Sequence, residues 1–173
     1  MKSMKQEYTS AKTSIKQVPA GFKIVDKYFG WQPYTINLDI GGGKYDLMTE
    51  KLLEKNVTNL IYDPYNRSLE HNLNVLMGYE DCTIDTVTIF NLLNVIKERE
   101  VQINAFNMAH DALEWNGTIY VRSAYMNPAK SKRSGVTKSG MFQHYLTMKD
   151  YLEIVKEVFP DAELKYGLIF AKK

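Results

Sequence analysis

LDIGGGKYD, residues 38–46, decides the fold. An apolar stretch, Thr35–Ile40, runs straight into three glycines, and a helix is expected from Tyr45 or Asp46, with Leu47, Met48, Leu52 and Leu53 turned inward. A strand that meets glycines and then a helix is a loop built for close approach. Without a Cβ the backbone turns sharply and a ligand can lie against it. The dinucleotide pattern G-x-G-x-x-G fits at Gly41 and Gly43, but its third glycine is Asp46. An acidic side chain there repels a pyrophosphate, so NAD and FAD are disfavoured.

Outward from the loop, strands and helices alternate. TNLIYD (58–63) reads as a second strand, with a helix from Asn66 or Ser68 to Met77 that Gly78 stops. DTVTIFNLL (85–93) is a third, followed by a helix over 97–114. After a turn at Asn116-Gly117, TIYVRSAY (118–125) is a fourth. Residues 126–146 are irregular and basic. Thr147 and Asp150 have capping-box spacing for a last helix, which Pro160 prevents from continuing. AELKYGLIFAKK (162–173) reads as a hairpin around Gly167. The pattern predicts an α/β three-layer sandwich: a mostly parallel sheet closed by a C-terminal antiparallel hairpin. A domain over 34–173 is then preceded by an extension over 1–33. That extension is expected to be frayed to residue 14 and to hold a helical lead-in marked by Ile15, Val18, Phe22, Val25 and Phe29.

In such sheets ligands bind beyond the carboxyl ends of the strands. That rim holds Gly41, Gly42, Gly43, Asp63 and Asn91–Asn94. Asp39, just before the loop, favours a cationic ligand over a phosphate. S-adenosylmethionine (SAM), with its ammonium and sulfonium, is such a ligand.

At these residues the chain resembles the class I SAM-dependent methyltransferases. Asp39-Ile40-Gly41-Gly42-Gly43 is similar to their first motif, D-x-G-x-G. The resemblance spans roughly residues 35–173 and implies a Rossmann-like fold with SAM as cofactor. It also implies an acidic residue at the end of the second strand that holds both ribose hydroxyls. Asp63, twenty residues after Gly43, stands there. A carboxylate suits the role because it accepts two hydrogen bonds side by side. IYDPYNR (61–67) is therefore the ribose corner, and not the D-P-P-Y tetrapeptide with which some members hold a target base. LDIGGGKYD, YDPYNR and NLLNVIKE together look like a group of small methyltransferase-like proteins of phage and mobile-element genomes.

The sequence departs from the family pattern in two places. Tyr45 stands where a third loop glycine is common. Only about twenty residues separate Asp63 from the strand at 85, which leaves little room for both a helix and a full strand. The adenine would then meet Glu80 or Asp81.

Asn91 and Asn94 flank the expected donor–acceptor position; each can bind a substrate amine or pin a local turn. His144 and Tyr145 precede the last helix, where family members contact the acceptor. His144 is either a general base or a half-exposed loop side chain. Arg122, Lys130, Lys132, Arg133 and Lys138 form a basic stretch with no acidic residue from 127 to 140, either a footprint for nucleic-acid phosphates or a solvated loop.

Composition sets outer bounds. The chain has 173 residues, a net charge of +2, 45% hydrophobic and 24% charged residues. The charge alone implies no nucleic-acid partner. A lone cysteine, Cys82, excludes an internal disulfide and suits a reducing compartment. No signal peptide, membrane helix or metal-ligand spacing is evident, and a cytoplasmic location is expected. The reading reached is a SAM-dependent methyltransferase acting on a nucleic acid or a small molecule. The alternative is a SAM- or nucleoside-binding protein that acts by interaction and transfers nothing.

Overall fold

The computed structural model describes residues 5–80, 83–123 and 134–173. Its central sheet has six strands in the order β2-β1-β3-β4-β8-β7. Here β1 is Ile36–Ile40, β2 Thr58–Tyr62, β3 Ile84–Phe90, β4 Leu113–Arg122, β7 Glu163–Lys165 and β8 Leu168–Lys172. The first four are parallel, β8 runs antiparallel to β4, and β7 pairs antiparallel with β8 and so runs in the direction of the first four. A separate two-stranded hairpin pairs β5 (Gly135–Val136) with β6 (Phe142–Gln143). The fold class read from the sequence is the one observed.

Side chains alternate across each strand, and the helices cover both faces. Leu38, Ile40, Val87, Ile89, Ile119 and Val121 pack under α3 (Leu69–Glu80), α4 (Arg99–Ala112) and α5 (Met148–Val155). The opposite face meets α1 (Ala20–Tyr28) and α2 (Leu47–Leu53) through Phe22, Val25, Met48 and Leu52, against Phe90, Tyr120 and Leu168.

Handedness explains this split. From β1 the chain steps through α2 to β2, then returns through α3 to β3 on the far side of β1. Right-handed crossovers in opposite directions must lie on opposite faces. The return uses one helix, and among the described residues no strand pairs with the outer edge of β2. The short interval before residue 85 has this consequence.

Three local readings change. α3 runs through Gly78 to Glu80. Asn116-Gly117 lies within β4, at an irregularity of its pairing with β3. Residues 5–14, expected to be frayed, pack on the rim, where Ser10 is 4% exposed. The β7–β8 turn does fall on Tyr166 and Gly167, both with positive φ, which brings the two strands together directly.

Candidate functional site

The glycine loop begins as a continuation of the sheet: Gly41 N–H donates to Tyr62 O at 2.7 Å. Gly41 and Gly43 then take φ of 77° and 76°, the left-handed region that glycine enters without cost. Gly42 is needed for space. A Cβ on it would stand 2.2 Å from Asp39 Oδ2 and 3.0 Å from Ile61 Cγ2.

Asp63 faces this loop from the end of β2 and is 4% exposed. Its Oδ2 accepts the Gly43 N–H at 2.9 Å, and its Oδ1 accepts the N–H groups of Tyr65 and Asn66, each at 3.0 Å. The Asn66 side-chain amide bridges both carboxylate oxygens, at 3.2 and 3.0 Å. Arg67 reaches back to Gly43 O through Nε at 2.7 Å and to Asp46 through Nη2 at 2.7 Å. Asn72 on α3 secures the Asp63 backbone, accepting its N–H at 2.8 Å and donating to its carbonyl at 3.1 Å. Sequence reasoning missed Asn66, Arg67 and Asn72 as parts of the site. The visible signal was the run Asp-Pro-Tyr-Asn, whose composition is that of a side-chain-stabilised turn.

Asp39 does not line the cleft. It is 3% exposed, beneath the loop, and accepts from Thr88 Oγ1 at 2.8 Å. Thr88 in turn accepts from Asn37 Nδ2 at 3.0 Å, and Asn37 donates to Asn59 Oδ1 at 2.7 Å. Burial pushes the Asp39 carboxyl up to about 7. The Thr88 hydrogen bond opposes that rise, the charge of Asp63 adds to it, and Arg67 counters it. A ligand above the loop meets glycine backbone first, with Asp39 behind it.

The space between these parts is a cleft that opens to solvent. Gly41, Gly42, Gly43, Asp63, Asn66 and Asn91 form part of its wall, and Ser10, Thr13 and Ser14 lie over it. Several contacts hold this N-terminal segment down. Gln6 N–H donates to Tyr65 Oη at 3.0 Å, Glu7 N–H to Glu98 Oε1 at 2.8 Å, and Lys44 N–H to Ser14 Oγ at 3.1 Å. Lys97 pairs with Glu7 at 2.5 Å, and Tyr8 stacks on Phe142.

The other sequence candidates divide. Asn91 lines the cleft, with φ 58° and its N–H on Arg122 O at 2.7 Å. Asn94 is buried beside it, its carbonyl accepting the His144 N–H at 2.7 Å and its Nδ2 donating to Gln143 at 3.3 Å. The His144 ring contacts Ser134 Oγ at 2.9 Å, outside the cleft wall, and burial holds it below its ordinary pKa. Arg122 turns its Nη1 onto Gly167 O, and Lys138 lies in the β5–β6 connection. Asp81, Lys130, Lys132 and Arg133 fall outside the described residues. Among the described residues no helix is long and apolar enough to cross a membrane.

No family model and no curated protein sequence matches the chain. Solved structures share its fold. The SAM-dependent methyltransferase SibL is 15% identical at a TM-score of 0.52, over 80% of this chain and 50% of that one. Human N-acetylserotonin methyltransferase, in complex with SAM, is 12% identical at 0.52, over 80% of this chain and 47% of that one. This chain thus spans about half the length of those two proteins. The glycopeptide N-methyltransferase MtfA is 10% identical at 0.57, over 89% and 94%. The fold of this chain is the Rossmann-like fold found in those SAM-dependent methyltransferases.

Proposed function

We propose that this chain is a SAM-dependent methyltransferase. The observation that carries the reading is the buried Asp63 carboxylate, with Oδ2 on the glycine loop and the Asn66 amide bridging its two oxygens. A ribose diol offers the same pair of adjacent donors. Rotation of the Asn66 side chain would let the diol take its place while the backbone donors of Gly43, Tyr65 and Asn66 keep the carboxylate fixed. Gly41–Gly43, where each Cβ would collide with a neighbouring side chain, suit the amino-acid portion of the cofactor. Its base would lie beside Asp63, toward Pro64, Tyr65 and Leu92, once Gln6 and Ser10 of the N-terminal segment, which leave room there for about one water, move aside.

Bound SAM supplies an electrophilic methyl on a sulfonium, which an acceptor lone pair attacks directly. The chain's part is to align acceptor and methyl and to exclude water, and alignment alone accounts for much of such catalysis. Asn91, on the wall after β3, is the residue suited to orient an acceptor amine or hydroxyl. Neither a nucleophile nor a metal is required of the protein.

The test is incubation of the protein with methyl-labelled SAM and a panel of oligonucleotides, amines and hydroxylated small molecules. Label transfer matched by S-adenosylhomocysteine release is expected with one acceptor class. Tight SAM binding without turnover on any of them would instead favour a binding protein.

A further inference from the structure

One segment of the chain lies on both halves of the cleft at once. At the glycine loop, Ser14 Oγ accepts the Lys44 N–H at 3.1 Å and stands so close to Gly43 that a Cβ there would meet it at 2.4 Å. On the other side of Asp63, Gln6 and Ser10 pack toward Pro64, Tyr65 and Leu92 and leave room for about one water. Between these points the segment folds on itself. Gln6 Nε2 donates to Ser10 Oγ at 3.2 Å, and the N–H and hydroxyl of Thr13 both donate to Ser10 O, at 3.0 and 2.6 Å. Its side-chain anchors outside the cleft are few. Glu7 pairs with Lys97 at 2.5 Å, both half-exposed, and Tyr8 stacks on Phe142 with ring centroids 5.8 Å apart. An ion pair in contact with solvent contributes little. The position also has a cost, since Gln6 Oε1 is buried with no hydrogen-bond partner among the described residues.

We propose that residues 6–14 are an autoinhibitory strap, which occupies the cofactor's place in the resting chain and swings out as the cofactor enters. The inference rests on the cleft being a SAM site. Strap and cofactor compete for the same ground. Ser14 sits against Gly43, on the loop assigned to the amino-acid portion, and Gln6 and Ser10 fill the room assigned to the base. The apparent affinity is then the intrinsic affinity multiplied by the fraction of chains with the strap open. Weakening an anchor raises that fraction, so a substitution that touches no ligand tightens binding. Glu7 and Tyr8 are such positions, since neither forms part of the cleft wall. A strap that closed over bound cofactor would act in the opposite sense, and loosening it would weaken binding.

Calorimetric titration with S-adenosylhomocysteine tests the strap. The proteins are the full chain and its Glu7→Gln, Tyr8→Ala and doubly substituted forms, with thermal melts to verify folding. The full chain is expected to bind, and the double variant to bind about fivefold or more tightly than it. Hydrogen exchange on the full chain gives a second reading. With saturating S-adenosylhomocysteine, the amides of Gln6 and Glu7, which donate to Tyr65 and Glu98, should exchange faster than without it. Unchanged or weaker binding by the folded double variant, or unchanged or slower exchange at those amides, overturns the strap and leaves the SAM site standing. Absence of binding to the folded full chain overturns the SAM site, and this inference with it.

Discussion

Gly42 and Asp39 are coupled. The Gly42 backbone lies so close to the Asp39 carboxylate that a Cβ would stand 2.2 Å from Oδ2. The carboxyl is held by Thr88, itself tied to Asn37, so the loop must move instead. Gly42→Ala should therefore cost about 1–3 kcal/mol in urea unfolding, the range of an overpacked core; an unchanged midpoint would contradict this contact. Asp39 also makes a prediction in pH. Its folded pKa, about 7, lies above that of the unfolded chain. Between the unfolded pKa of about 3.9 and the folded value, the native state holds a proton that the unfolded chain has released. The stability linked to this group is thus present below that unfolded value and is lost as pH rises to about 7. Compared with Asp39→Asn, the wild type should lose on the order of a few kcal/mol between pH 4 and 7 and change little further above about pH 8. Parallel stability curves for the two proteins would show that the carboxyl is not buried as described.

At the scale of elements, legibility followed the reach of the interactions. The capping box at Thr147 could be read because both of its hydrogen bonds join residues three apart: Asp150 N–H donates to Thr147 Oγ1, and Thr147 N–H to Asp150 Oδ2. The hairpin at Gly167 was legible for the same reason. α3 was read too short because glycine usually ends a helix. In the structure α3 continues past Gly78, with Val75 packed into the core one turn earlier. Gly78 is exposed, and a Cβ there would meet nothing within 4 Å. Gly78→Ala should therefore stabilise the protein by about 0.5–1 kcal/mol through lower backbone entropy in the unfolded chain. A lower melting temperature would contradict the helix at that position.

For the whole molecule, the sequence carried the sheet, the glycine loop and Asp63, because apolar alternation and glycine placement are local signals. It did not carry the N-terminal segment. Its side chains have no apolar period, and the partners of the Gln6 and Glu7 backbone N–H groups and of the Ser14 hydroxyl, Tyr65, Glu98 and Lys44, lie 30 to 91 positions away. Nor did it show that Asp39 would sit behind the loop, since a two-residue alternation places a side chain on a face without saying what covers it. The account turns on one claim: that Asp63 and the glycine loop hold the ribose and amino-acid portions of SAM. Calorimetric titration of SAM into the wild type and into Asp63→Ala tests it, with circular dichroism to verify that both are folded. The account predicts saturable one-site binding to the wild type and a loss of about a hundredfold or more in the variant, as two charge-assisted hydrogen bonds disappear. Equal affinity in the two proteins, or no binding to folded wild type, would contradict it.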